Sequence, residues 1–167
     1  MVEKSFDIPF AGLKQGSHLF RFIVGDTFFD SFPLSLIEKG EIHVELTLEK
    51  KETILIGNFL IQGNVEIDCC RCNESVKVPI EDKMINYYKF GTEIEEDENL
   101  IVLSPDEYKI NIAQQIYELI TVSLPANPKH KMEDCNEEMV TLLNKYQNNS
   151  IKKTNIDPRW EKLNKLN

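Results

Sequence analysis

Residues 41–50 read EIHVELTLEK, and apolar and polar side chains alternate along the first nine positions of this stretch. Because successive side chains of a β-strand point to opposite faces, the alternation predicts a strand with one buried and one solvent-facing side. The stretch therefore indicates a sheet that has only one face in the core. The two interleaved sets are Ile42, Val44, Leu46 and Leu48 on the apolar side, and His43, Glu45, Thr47 and Glu49 on the polar side.

The same period of two recurs on both sides of this stretch, between residues 18 and 90, and predicts a curved antiparallel sheet. Lys50-Lys51-Glu52 predicts a turn, and Asn73-Glu74-Ser75 turns the chain again. Gly63-Asn64 is either a two-residue hairpin turn or part of a long strand with Gly63 at a bulge. The further apolar positions are Phe20, Phe22 and Val24, then Val65, Ile67 and Cys69, then Val76, Val78 and Ile80.

Helical periodicity replaces the strand pattern after residue 110 and predicts two helices. Asn111 with Gln114, and Asp134 with Glu137, have the spacing of capping boxes, and Pro125 ends the first helix. Each helix carries an apolar stripe that we expect to be core. The stripes are Ile112, Ile116, Leu119 and Ile120 in the first helix, and Met139, Leu142, Leu143 and Tyr146 in the second.

The predicted fold class is α+β, with the sheet in the N-terminal half and two to three helices packed on it in the C-terminal half. The length of 167 residues suits a single domain over residues 1–147, with an acidic loop at about 91–99, followed by an appendage over residues 148–167. In the appendage a polar linker precedes Asp157-Pro158, an N-cap and first-turn proline. The short helix that they begin carries Trp160, Leu163 and Leu166, and it either docks on the body or binds a partner.

The charge of the chain is uneven. The net charge of −9 argues against a protein that coats nucleic acid with its whole surface. From Lys145 onward, however, basic residues dominate, which permits local contact with RNA or with an acidic partner, unless the tail is only solvated. The basic residues there are Lys145, Lys152, Lys153, Arg159, Lys162 and Lys165, against Asp157 and Glu161.

The targeting features of the sequence predict a cytoplasmic protein without a membrane anchor. The first residues, MVEKSFDIPFAG, lack the apolar core of a signal peptide, and no apolar run approaches the roughly 18 residues of a membrane span. Cytoplasmic thiols are kept reduced, so clustered cysteines there favour metal binding over structural disulfides.

Three of the four cysteines lie in DCCRCN, residues 68–73. Cys69 and Cys72 have the spacing at which a tight turn brings two thiolates to one zinc ion, and His130 and Cys135 offer a second pair. We therefore predict a closed site of Cys69, Cys72, His130 and Cys135, in which zinc is structural because no coordination position stays open for water. The alternative is that the cysteines are small apolar core residues, with one exposed thiol left over. Cys70 is expected to be a buried neighbour on the opposite face from Cys69.

The sequence contains no motif of a common enzyme class. It has no Walker loop, no GxGxxG, no HExxH and no nucleophile elbow. A thioredoxin-like pair would begin a helix, whereas Cys69 and Cys72 follow a strand. The histidines His18 and His43 lie in strand patterns, where an exposed structural position is more common than a catalytic base. We expect a non-enzymatic protein with no small-molecule substrate.

Four motifs in order resemble the YceD family over roughly residues 60–166. They are the Cys69-Cys70-Arg71-Cys72 turn, the helix with Glu118 that leads into Leu124-Pro125, the run LPANPKHKMEDC at 124–135, and Asp157-Pro158-Arg159-Trp160 with Leu163. The chain departs from the family pattern at Cys70, commonly Asp or Gln, and in lacking cysteines after Cys135. The matching polar residues are Cys69, Arg71, Cys72, His130, Cys135, Asp157, Arg159 and Trp160.

The resemblance implies a factor required for normal accumulation of large-subunit ribosomal RNA, and so a role in assembly of the large ribosomal subunit. Its expected partner is that RNA or a large-subunit ribosomal protein. In the tail, Trp160 is suited to stack on a base and Arg159 to bridge phosphates, unless Trp160 anchors the helix on the body. The alternative function is a zinc-stapled adaptor that binds protein alone. The candidate contact residues are Arg71, Lys152, Lys153, Arg159 and Trp160.

Overall fold

The computed structural model of the chain describes residues 4–91 and 100–146. Most of the acidic loop lies outside these residues, as do the predicted C-terminal helix and the candidate contacts Lys152, Lys153, Arg159 and Trp160. The predicted boundary at residue 147 coincides with the end of the described range and stays a prediction. No helix in the described ranges is long and apolar enough to cross a membrane.

The described ranges contain seven strands, three α-helices and two 3-10 turns. The strands are β1 Asp7–Ile8, β2 Gly16–Val24, β3 Lys39–Lys50, β4 Ile54–Asp68, β5 Ser75–Phe90, β6 Leu100–Leu103 and β7 Ile110–Asn111. The helices are α1 Asp26–Asp30, α2 Ala113–Val122 and α3 Glu137–Tyr146, and the 3-10 turns are Lys4–Phe6 and Met132–Asp134. This composition confirms the predicted α+β class.

Five strands form one open sheet in the order β2-β3-β4-β5-β6. The first four pair antiparallel, as the alternating pattern predicted, but β6 pairs parallel to the end of β5. A parallel neighbour must start again from the level at which the previous strand began to pair, which usually takes a long connection. Here β6 pairs with only the last four residues of β5, Tyr87–Phe90, so the connection has only a short distance to cover. A separate two-stranded sheet joins β1 to β7, and the sequence patterns did not indicate it.

Gly63 lies inside the long strand β4 and is not in a hairpin turn. It pairs with Ile42 on β3 and with Ile80 on β5, in a continuous register without a bulge. A Cβ at this position would lie 2.7 Å from the Ile42 Cα and closer still to the Glu41 carbonyl oxygen. Glycine is therefore required by the close approach of β3, not by a turn.

The apolar face of the sheet is covered by aromatic residues from the N-terminal segment, α1 and α2. Phe6 contacts Phe22 on β2 and Phe28 on α1, with ring centroids 5.5 and 5.0 Å apart. Phe32, just after α1, stacks on Tyr117 of α2 at 4.1 Å. The first helical stripe is core as predicted, because α2 buries Ile116, Leu119 and Ile120 together with Ile112 beside its first turn.

The prediction that the second stripe is core was wrong. Met139, Leu142, Leu143 and Tyr146 on α3 are 39–76% exposed, and α3 has no buried residue. Only Val140 packs, partly buried, against the core. Periodicity shows that a helix has an apolar face but not that the rest of the chain covers it.

The cap predicted for this helix was also wrong. Asp134 lies in the 3-10 turn Met132–Asp134, and α3 begins at Glu137. Asn136 supplies the cap instead, since its Oδ1 accepts a hydrogen bond from the Met139 N–H at 3.1 Å.

Candidate metal centre

The loop that joins β4 to β5 holds Cys69 and Cys72 in a tight turn. The Asn73 N–H donates to the Cys69 carbonyl at 2.9 Å, and the Cys69 N–H donates to the Glu74 carbonyl at 2.9 Å. Asn73 adopts φ 59°, a left-handed conformation that asparagine tolerates better than most residues. The Arg71 N–H donates to the Cys69 Sγ at 3.4 Å. The turn therefore directs a backbone donor at the Cys69 sulfur, which stabilises its thiolate form.

His130 and Cys135 come from the loop between α2 and α3. This loop is fixed to the cysteine turn through its backbone, because the Cys70 N–H donates to the Pro128 carbonyl at 2.9 Å. His130 Nε2 lies 3.1 Å from the Ser75 carbonyl. A carbonyl oxygen only accepts, so Nε2 carries the proton and Nδ1 is the nitrogen that faces the cysteines. Nδ1 lies 3.4 Å from the Cys72 Sγ.

The structure brings together the four residues that the sequence spacing predicted as a set. One ligand atom from each of Cys69, Cys72, His130 and Cys135 lies within 4.8 Å of all the others. Sulfur atoms on a tetrahedral zinc ion are about 3.8 Å apart, given Zn–S bonds of about 2.3 Å. The three thiols are buried and His130 is half-buried. Within residues 4–91 and 100–146, this is the one such group of Cys, His, Asp or Glu.

Cys70 does not belong to the group, but the prediction that it is buried was wrong. Its side chain is exposed, whereas Cys69 is 1% and Cys72 2% exposed. The strand β4 ends at Asp68, so Cys70 lies beyond the sheet. Cys69 and Cys70 thus face different surroundings, as predicted, but the turn directs Cys70 to solvent and not into the core.

The environment of the two turn cysteines favours thiolates. Burial would raise the pKa of Cys69, but the backbone N–H groups of Cys72, His130 and Arg71 outweigh it and lower the pKa to about 5. The backbone N–H groups of Asn136 and Glu74 likewise lower the pKa of Cys72. Anionic sulfurs in adjacent positions repel one another, and a divalent cation would remove that repulsion.

Cys135 and His130 complete the charge pattern of the group. Burial raises the pKa of the Cys135 thiol, and the Arg71 guanidinium, which donates to its Sγ at 3.5 Å, opposes that effect. The hydrogen bond to Cys72 raises the pKa of His130. Arg71 therefore lies beside the group. The sequence also indicated Arg71 as a candidate partner contact, and that role stays a prediction.

Asn136 and Glu74 are neighbours of the cysteine and histidine group that the sequence patterns did not indicate. Asn136 Nδ2 donates to Glu74 Oε1 at 2.7 Å, which joins the residue after Cys135 to the turn that follows Cys72. The available signal was their position, since Glu74 follows Cys72 by two residues and Asn136 directly follows Cys135. Outer-shell contacts of this kind orient ligands.

His18 and His43 lie elsewhere, on β2 and β3. His18 Nε2 contacts the Lys14 carbonyl at 2.8 Å, and His43 lies 3.7 Å from Glu41. Neither belongs to the cysteine group.

The family comparison matches residues 57–167 to the family described as "Large ribosomal RNA subunit accumulation protein YceD". The match spans well over half of the chain and includes all four residues of the group. The chain belongs to the YceD family. Membership implies involvement in accumulation of the RNA of the large ribosomal subunit, and the YceD family is named for that role, not for a reaction. No curated protein and no solved structure matches the chain.

Proposed function

We propose that this YceD protein is a non-enzymatic cytoplasmic factor that supports large-subunit ribosomal RNA accumulation and ribosome assembly, with structural zinc on Cys69, Cys72, His130 and Cys135. The observation that carries the metal assignment is the convergence of these four ligand atoms within 4.8 Å. The role in ribosome assembly rests on the family match over residues 57–167.

Zinc suits the donor set better than other common ions. Thiolate and imidazole are zinc ligands in structural sites, whereas magnesium and calcium take oxygen ligands. Three cysteines and one histidine leave no open position, so the ion would cross-link the β4–β5 turn to the loop before α3. The Ser75 carbonyl fixes the histidine tautomer, and Arg71 offsets the negative charge of three thiolates.

The metal assignment is tested by elemental analysis of the purified protein beside Cys72→Ser, Cys135→Ser and Cys70→Ser. We expect about one zinc per chain in the unchanged protein and in Cys70→Ser, and loss of zinc in the other two variants. Cys70→Ser is the matched control, because it removes a thiol from the same turn that points away from the group. Substoichiometric metal in the unchanged protein, or equal zinc in all four, contradicts the assignment.

The contact with the ribosomal partner is assigned to Arg71 and to the basic tail, with Lys152, Lys153 and Arg159 bound to phosphates. Trp160 either stacks on a base or anchors the tail. A basic segment on a chain of net charge −9 concentrates phosphate binding at one place. The same overall charge also favours the second candidate, an adaptor that binds a protein of the large subunit without touching RNA.

Salt dependence separates these two candidates. The experiment compares binding to large-subunit RNA, and ribosome profiles in cells, for a triple variant of Lys152, Lys153 and Arg159 to Gln. For direct RNA contact we expect weaker binding and a log–log salt slope reduced by roughly 2, because each neutralised phosphate contributes about 0.7. The matched control changes three exposed body lysines, Lys14, Lys77 and Lys83, to Gln. Unchanged RNA binding, with retained binding to a ribosomal protein, supports the adaptor.

A further inference from the structure

Helix α3 presents an apolar stripe that the described part of the chain leaves open. Leu142 is 47% exposed and Tyr146 76% exposed, and Met139 and Leu143 lie on the same side. The opposite side carries polar residues such as Thr141 and Asn144. Apolar side chains at helical spacing on one face are typical of a helix that packs against another element.

The helix is nevertheless held firmly at its first turn. Asn136 caps it and bonds to Glu74 of the cysteine turn, and Cys135 joins the metal-binding group just before it. Val140 contacts the core from the side of the helix. The stripe is thus presented at a defined position on the molecule, where a second helix could pack.

The 21 residues that follow α3 contain a segment of matching pattern. Trp160, Leu163 and Leu166 recur every third residue after the Asp157-Pro158 helix start. The linker of residues 147–156 spans up to about 33 Å when extended, and α3 is only about 15 Å long. The segment can therefore reach any point of the stripe. Because it lies close to α3 in the sequence, its docking closes only a short loop, and the entropy cost is small.

Charge complements the apolar match. The first turn of α3 carries Glu137 and Glu138. The segment carries Arg159, Lys162 and Lys165. In an antiparallel pair, Lys165 near the end of the segment lies beside the two glutamates, while Trp160 lies towards Tyr146. A parallel pair would place Arg159 there instead, so the charges favour docking in either direction. The antiparallel direction is favoured by the short connection, because it brings the start of the segment next to the end of α3.

We propose that the α3 stripe is the docking surface for residues 157–166 of the same chain, which form an antiparallel helical hairpin with Trp160 as the anchor. Lys152, Lys153 and Arg159 then stay available for phosphate at the solvent side, while Trp160 is buried and does not stack on RNA. The inference uses the apolar surface of α3, and it stands independently of the ribosomal role.

Trp160 is the only tryptophan of the chain, so its fluorescence reports on docking directly. The experiment measures the emission maximum and quenching by acrylamide in the full-length protein. Acrylamide is uncharged, so the cations next to Trp160 neither attract nor repel this quencher. We expect a blue-shifted, weakly quenched tryptophan, and a red shift with several-fold stronger quenching in Leu142→Asp. Thr141→Asp is the matched control on the opposite side of α3 and should resemble the unchanged protein.

A matching pair of variants in the tail controls for the case in which Leu142→Asp acts only by disturbing α3 itself. Leu163→Asp should expose Trp160, while Asn164→Asp should leave it protected. Trp160 that is quenched freely in the unchanged protein overturns the proposal, as does protection that all four variants retain. Protection that depends on protein concentration, with a dimeric mass in sedimentation, assigns the stripe to a second copy and also overturns it. None of these readouts involves RNA, so failure here is distinct from failure of the ribosomal role.

Discussion

Arg71 illustrates how a single residue can bear on the candidate metal centre without being one of its four predicted ligands. Its backbone N–H donates to Cys69 Sγ, and its guanidinium donates to Cys135 Sγ at 3.5 Å. One residue thus bridges the cysteine turn and the distant loop. The guanidinium lies where the excess negative charge of a zinc–three-thiolate group would develop.

We predict that Arg71→Gln lowers zinc affinity by about tenfold, the usual size of a second-shell effect. Arg71→Lys keeps the charge but loses the planar geometry, and its zinc affinity should fall between those of the unchanged protein and Arg71→Gln. Competition with a chromophoric chelator measures both affinities. Lys129→Gln, next to His130 in the chain but outside the group, is the control and should bind zinc as the unchanged protein does. Equal affinity in all variants would show that Arg71 has no part in the centre.

The thiols should differ sharply in reactivity. Of the four cysteines only Cys70 is exposed. For the zinc-loaded protein we therefore predict a single adduct with a maleimide by mass spectrometry. After chelation the remaining three thiols become accessible as the centre loosens, and four adducts are expected. Cys70→Ser should give none before chelation. Multiple adducts in the presence of zinc would mean that the ion does not protect these cysteines.

The sheet depends on a close approach at Gly63 between two of its central strands. We predict that Gly63→Ala destabilises the protein by roughly 3 kcal/mol, because the added methyl group collides with the backbone of Glu41 and Ile42. Chemical denaturation measures the change. Gly12→Ala is the control, since a Cβ there meets nothing within 4 Å and should cost little. A small effect of Gly63→Ala on the free energy of unfolding would contradict this prediction, because β3 and β4 could then move apart without loss of stability.

The elements also show where periodicity is sufficient and where it fails. The alternation in β3 correctly assigned its buried positions, and the stripe of α2 is core. The same reasoning failed for α3, whose Leu142 and Leu143 remain exposed. The apolar face of β3 is covered by the N-terminal segment, α1 and α2, whereas α3 touches the core only through Val140. Coverage by other elements, and not the pattern alone, therefore decides burial.

For the whole molecule, zinc removal should loosen two regions at once. Residues 69–74 and 130–146 are about sixty residues apart in the chain, and a cross-link over such a loop stabilises a protein by roughly 3–5 kcal/mol. We predict that a chelator lowers the melting temperature and speeds hydrogen exchange in both regions, while the centre of β3 and β4 stays protected. Cys72→Ser should show the loosened pattern without chelator. Exchange that is unchanged by chelation would contradict a structural role for the metal.

The sequence by itself indicated the α+β class, the antiparallel sheet of the N-terminal half, the core stripe of α2, and the four residues of the candidate metal-binding group. These follow from periodicity and from ligand chemistry, which neighbouring residues carry locally. Only the tertiary structure decided that Cys72 and His130 meet, that β6 pairs parallel, that Cys70 is exposed and that the α3 stripe stays open. Each of these depends on contacts between residues far apart in the chain, and a local pattern shows which face is apolar but not what covers it.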